Sequence, residues 1–178
     1  MEKNRQGLLH IYCGDGKGKT SAAVGMAVRA AGCGMKVLVI RFLKTENSGE
    51  VEVLRSIPGI TVPPCEHTFG FVFRMTEEQK QEAALYYQSR FEAAAKKAVQ
   101  GQYDLLILDE ILASCNYGMV RETSVVEFLQ NRPEKLEVVL TGRNPSETFL
   151  ELADYVSEIC MRRHPYEKGI PARRGIEF

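Results

Sequence analysis

Short apolar runs alternate along the chain with stretches whose apolar positions recur every three or four residues. Residues 8–13 read as a strand, and residues 19–31 as a helix with an Ala/Val/Met face that stops at Gly32. Residues 36–43 form a second strand candidate rich in Val and Ile, and Thr61 with Val62 suggests a short edge strand running into Pro63 and Pro64. Thr76, with Gln79 three positions on, marks a capping box. The helix it opens puts Ala84, Tyr87, Phe91, Ala94 and Ala98 on one face and ends at Gly101. A continuous apolar strand at 103–108 leads into Asp109 and Glu110. A helix over 120–131 stops before Pro133. A strand at 137–140 follows, then a helix with Asn144 as cap, Pro145 at its first position and Glu147 as capping-box acid. A last strand is predicted over 155–161.

The strands are apolar throughout, as in a parallel sheet covered on both faces. Strand–helix alternation from end to end predicts a single α/β domain over 1–178. The tail, 162–178, is polar and basic and by itself reads as a surface extension.

Composition narrows the class. A chain of 178 residues can bury a core without staples. Lys plus Arg equal Asp plus Glu at 23 each, so no global charge points to nucleic acid or an anionic membrane. Cys13, Cys33, Cys65, Cys115 and Cys160 contain no CxxC pair, which argues against a disulfide framework or a zinc site and for reduced thiols. The first seven residues lack an apolar signal region, and the longest apolar run is too short to cross a bilayer. The expectation is a cytoplasmic protein.

The chemistry begins at HIYCGDGKGKTS. Gly14, Gly16 and Gly18 lie between a predicted strand and a predicted helix, and Lys19 and Thr20 open that helix. Unpaired amides at a helix start attract phosphate, and glycines let them turn inward. Lys19 is placed to reach phosphate oxygens, the Thr20 hydroxyl to ligate Mg²⁺, and Lys17 adds a second cation. The spacing departs from GxxxxGK[ST], because Cys13 stands where the first glycine belongs. The matching acids are Asp109 and Glu110, at the carboxyl end of a strand where open α/β sheets bind ligands. In an ATPase one would hold Mg²⁺ and the other would orient water. In a transferase both would serve the metal and its hydrogen bonds. Spacing does not choose between these.

The chain resembles the P-loop type of ATP:corrinoid adenosyltransferase, the CobA/CobO/BtuR group, from about Gly7 to Phe178. The resemblance is carried by GDGKGKTSAA, RFLKTENSGE, GFVF, LILDEI, TGRNP followed by LELAD, and the ending RHPYEKGIPARRGIEF. It implies transfer of the 5′-deoxyadenosyl group of ATP to the Co(I) of a reduced corrinoid (cobalamin, cobinamide or cobyrinic acid a,c-diamide), with triphosphate released. The nucleophile being a metal centre, no general base is required, and the protein supplies position and field. The resemblance further implies nucleotide contacts from Gly14, Asp15, Gly16, Lys17, Gly18 and Lys19, continuing to Thr20 and Ser21. Mg²⁺ or Mn²⁺ falls to Thr20 and Glu110. Arg29 matches an arginine near the nucleotide, Lys44 and Glu50 match charged positions near ribose or corrin, and His164 matches the histidine that begins the tail.

Phe71 and Phe73 match two aromatics that lie against the lower corrin face and help to remove the lower cobalt ligand. The second is commonly Trp in the family, and this chain contains none. Some family members carry a longer N-terminal helix over the corrinoid; here a shorter lid, or one supplied from elsewhere, is expected. A homodimer and a flavoprotein electron donor complete what the resemblance implies.

Overall fold

The computed structural model describes residues 6–70 and 72–177. Its strands are Leu9–Cys13 (β1), Val37–Arg41 (β2), Ile60–Thr61 (β3), Leu105–Asp109 (β4), Glu137–Thr141 (β5) and Tyr155–Glu158 (β6). Its α-helices are Lys19–Gly32 (α1), Glu50–Ser56 (α2), Glu77–Gln100 (α3), Ile111–Asn116 (α4), Glu122–Gln130 (α5) and Glu147–Leu152 (α6). The strands form one six-stranded sheet in the order β3-β2-β4-β5-β1-β6. Every pairing is parallel, so all the strand ends that precede helices lie along one edge.

Side chains of one strand alternate between two separate cores, the direct consequence of a period of two. Leu38, Ile40, Leu106 and Leu108 face a core closed by α3, α4, α5 and α6 through residues such as Tyr87, Phe91, Ile111, Val125 and Phe149. Val37, Val39, Leu105 and Ile107 face a second core closed by Ala23 and Ala27 of α1 and Val51 and Leu54 of α2. This is the expected α/β architecture with helices on both faces, of the P-loop NTPase-like class. The central strands β2 and β4 are buried at all five positions. At the flank the apolar expectation fails: β1 alternates, and β6 is exposed at all four positions because it forms the sheet edge.

Local signals hold where the chain supplies the cap itself. Thr76 accepts from Gln79 N, and Gln79 returns a bond to Thr76 N, opening α3 as predicted. Elsewhere the structure corrects the expectation. Ser146, not Asn144, caps α6 by accepting from Phe149 N; Asn144 sits before it in the left-handed region at φ 48°. Ala83 rather than Ala84 takes the buried place on α3, next to Tyr87 in the row. The last strand ends at Glu158 instead of running to 161. Val120 and Arg121 precede α5, and α2 and α4 are additional short helices. Among the described residues no helix is long and apolar enough to cross a membrane.

Candidate active site

Cys13 is the last residue of β1 and is buried, so the place where a glycine was missing from the motif is still strand. The turn begins one residue later. Gly14 has φ +102°, and a Cβ there would come within 2.4 Å of the Ile159 carbonyl oxygen; at Gly16 the distance would be 2.6 Å. The loop therefore lies against the segment after β6, held by a Gly16 N to Ile159 O bond of 2.7 Å. Side chains at these two positions would push it away. The chain then enters α1 at Lys19, whose ammonium is folded back onto Gly16 O at 2.9 Å and whose residue is only 8% exposed. Burial pulls the Lys19 pKa down, while Glu110 pulls it back up.

At the carboxyl edge of the sheet, β4 and β5 bring three more groups to this loop. Asp109, 2% exposed, accepts from Thr20 Oγ1 at 2.9 Å and from Thr141 Oγ1 at 2.7 Å on one oxygen. Its other oxygen lies 2.6 Å from the Lys44 ammonium, which also donates to Thr20 Oγ1 at 2.8 Å. A cation is thus seated between a carboxylate and a hydroxyl. These are hard oxygen donors of the kind that hold Mg²⁺ together with phosphate oxygens. Among the described residues no group of three or more His, Cys, Asp or Glu forms a cage, and a metal shared with a phosphate chain needs none.

Glu110 turns the chain from β4 into α4 in one step, in the left-handed conformation at φ 63°, with its amide bonded to Thr141 Oγ1 at 2.8 Å. Burial, with the Asp109 carboxylate beside it, raises its pKa against the pull of Lys44, Lys19 and Arg143. A carboxyl whose folded pKa exceeds its unfolded value holds a proton longer in the folded state, so stability falls as pH rises through that window. Glu110→Gln is therefore expected to raise the melting temperature at pH 7 to 8 and to leave it unchanged near pH 4. Thermal unfolding across pH checks this; a loss of stability at pH 8 would contradict it.

The candidate residues divide by position. Thr20, Ser21, Lys44 and Glu50 line one cavity of about 580 Å³, which Ile176 and Glu177 of the tail also line. Lys17 and His164 line a neighbouring cavity of about 490 Å³ beside Gly16. Asp15 fixes the segment after β6 by accepting from Met161 N at 2.8 Å. Arg29 is not brought to this place: ten residues along α1 from Lys19 is about 15 Å of helix. It lines a separate cavity with His10, Tyr12 and Glu137. Phe73 lies in a 3₁₀ turn, Val72–Arg74, and is 78% exposed, with the Arg74 guanidinium 5.5 Å from its ring centre. Phe71 lies outside the described residues.

Three residues have roles the sequence did not suggest. Thr141 ties Asp109 to Glu110 from the neighbouring strand, a contact that depends on β5 lying beside β4. Arg41, 2% exposed, donates to Ser48 Oγ at 2.9 Å and to Thr45 O, and so shapes the loop that carries Lys44. A charged residue ending an otherwise apolar strand was its signal. Glu177 meets Lys17 across 160 residues of sequence, which no local pattern reports.

Residues 5–178 match the family model described as ATP:corrinoid adenosyltransferase BtuR/CobO/CobP. The corrinoid adenosyltransferase of Pseudomonas aeruginosa is 32% identical over 177 residues, covering 99% of this chain and 86% of its own length. That of Escherichia coli K12 is likewise 32% identical over 177 residues, covering 99% and 88%. Among solved structures, EssC (ATPases 2 and 3) from Geobacillus thermodenitrificans superposes with a TM-score of 0.51 at 11% identity, over 96% of this chain and 36% of that one. That likeness concerns the fold alone.

Proposed function

The chain belongs to the ATP:corrinoid adenosyltransferase family and transfers the adenosyl group of ATP to a corrinoid, and we propose that it does so by using the Gly14–Ser21 turn to hold a leaving triphosphate. The observation that carries this reading is the convergence of Lys19, Thr20, Lys44 and Asp109 at the carboxyl edge of the sheet. In this reading Co(I) of the reduced corrinoid attacks C5′ of ATP, the C5′–O bond breaks, and its electron pair leaves with the triphosphate. Charge grows on the departing oxygen. The loop amides are held in place before reaction, and the Lys19 ammonium joins them when ATP binds, so both face that charge as it develops. Swinging Lys19 from Gly16 O to a phosphate oxygen exchanges one buried acceptor for a charged one.

Thr20 and Glu110 are the proposed holders of Mg²⁺ or Mn²⁺, with Asp109 orienting the Thr20 hydroxyl and Lys44 making way. When bound, the ion would neutralise charge on the triphosphate. The reading includes, from family resemblance, a homodimer in the cytoplasm, a flavoprotein reductant, and residues 1–178 working as one domain.

Incubating the protein with MgATP and a corrinoid held as Co(I) tests the reading. Adenosylcorrinoid with inorganic triphosphate is expected; ADP with phosphate would point to an ATPase, and binding without turnover to a regulatory module. The exposed Phe73 is proposed as a wall for the corrin, helping to strip the lower cobalt ligand before reduction. Phe73→Ala is expected to lower turnover from Co(II) about fivefold more than turnover from chemically prepared Co(I), the scale of one lost aromatic contact of about 1 kcal/mol. Equal losses in the two assays would remove the proposed role.

A further inference from the structure

The last turn of the described chain places a carboxylate inside a set of cations next to the phosphate loop. Glu177 Oε2 accepts from Arg173 N at 2.7 Å and from Arg173 Nε at 3.2 Å, and Oε1 accepts from Arg173 Nη2 at 3.0 Å. Oε1 also accepts from Lys17 Nζ, in the loop, at 3.3 Å. A two-pronged guanidinium, a backbone amide and an ammonium converging on one anion is the donor set that also recognises phosphate. Arg162 and Arg163 line the same cavity, so positive groups outnumber the single carboxylate. These contacts hold Glu177 ionised, with its pKa pushed down to about 2.

Glu177 also lines the cavity that contains Thr20, Ser21 and Lys44. It stands between the loop site and the basic cavity, where a phosphate chain leaving the loop past Lys17 would pass. A fixed negative charge there opposes such a chain unless it gives way. The Lys17 and Arg173 side chains are about half exposed, at 49% and 55%, so the pairing is of the weak, solvent-screened kind that a polyanion can displace.

We propose that Glu177 is the chain's own occupant of a terminal-phosphate subsite formed by Lys17 and Arg173, and that a triphosphate displaces it. The pair thereby makes binding depend on phosphate-chain length, because one phosphate too few leaves Glu177 in place. The proposal rests on the reading that Gly14–Ser21 holds the triphosphate.

Titration calorimetry with inorganic tripolyphosphate, pyrophosphate and adenosine tests it on the full chain. Glu177→Gln is expected to tighten tripolyphosphate about two- to fivefold, the span exposed ion pairs deliver, and to leave adenosine unchanged. The gain is expected to vanish when Lys17→Gln is added, and Arg173→Gln alone is expected to weaken tripolyphosphate more than pyrophosphate. Glu177→Gln that leaves tripolyphosphate unchanged or weakened, while Lys19→Ala still weakens its binding, would overturn the subsite and leave the loop reading standing. No tripolyphosphate binding by the native chain, or binding indifferent to Lys19→Ala, would overturn both.

Discussion

Lys19→Ala is expected to lower kcat/KM for adenosyl transfer by about 10²–10³, the loss that follows removal of one preorganised donor from a site of developing negative charge. Lys19 is the buried ammonium of the loop, and its present partner is a carbonyl of the same loop, Gly16 O at 2.9 Å. The ammonium is therefore free to serve a phosphate oxygen at the cost of one neutral acceptor. Ala removes the charge and leaves the Gly14–Gly18 backbone intact, so ATP affinity should fall less than turnover. Lys19→Arg should not rescue, because a planar forked guanidinium does not reproduce the compact ammonium that sits on Gly16 O. Steady-state kinetics with Co(I) corrinoid, alongside circular dichroism to confirm folding, checks this. Turnover within twofold of the native rate would remove Lys19 from the mechanism.

The second large effect is expected at Asp109. Its carboxylate holds two hydroxyls and an ammonium: Thr20 Oγ1 at 2.9 Å, Thr141 Oγ1 at 2.7 Å and Lys44 Nζ at 2.6 Å. Removing one member of a buried ion pair strands the other, at about 3–5 kcal/mol when both are dry. Lys44 retains some access to water, its side chain being 21% exposed, so Asp109→Ala should fall at the lower end, about 3 kcal/mol. Turnover should drop more steeply still, since Thr20, Lys44 and Thr141 all lose their common anchor. Asp109→Asn keeps the shape and one acceptor oxygen; it is expected to recover most of the stability and little of the activity. Urea unfolding and the adenosylation assay separate the two effects. An Asp109→Asn variant with native activity would show that the negative charge is dispensable.

Much of this arrangement could be read before folding. β1, the glycine turn and α1 stand consecutively in sequence, and LILDE marks its own strand end by a burst of acid after apolar residues. Local devices such as the Thr76–Gln79 box were legible for the same reason: donor and acceptor are three residues apart. The failures have the opposite character. α4 follows β4 with only Glu110 between them, and its six residues are too few for a periodic pattern. Seven-residue α2 starts at Glu50 behind Gly49 and offers too few turns for a periodic pattern. The exposure of β6 depends on its place at the sheet edge, which composition does not encode.

The site shows the same division. The sequence marks both acids, and resemblance assigns the metal to Glu110. The structure puts Asp109 against Thr20, because the side chain of the last strand residue points toward α1 while Glu110 has already turned into the left-handed region. Arg29 matches a family position by sequence, yet in this chain it stands about three helical turns beyond Lys19.

The central claim is that the bond broken lies between C5′ and oxygen. ATP carrying ¹⁸O in the C5′–O–Pα bridge, incubated with the protein and a Co(I) corrinoid, decides it by mass spectrometry of the products. The expected result is ¹⁸O in the released triphosphate and none in the adenosylcorrinoid. Label retained on the nucleoside, with diphosphate or monophosphate released, would contradict it.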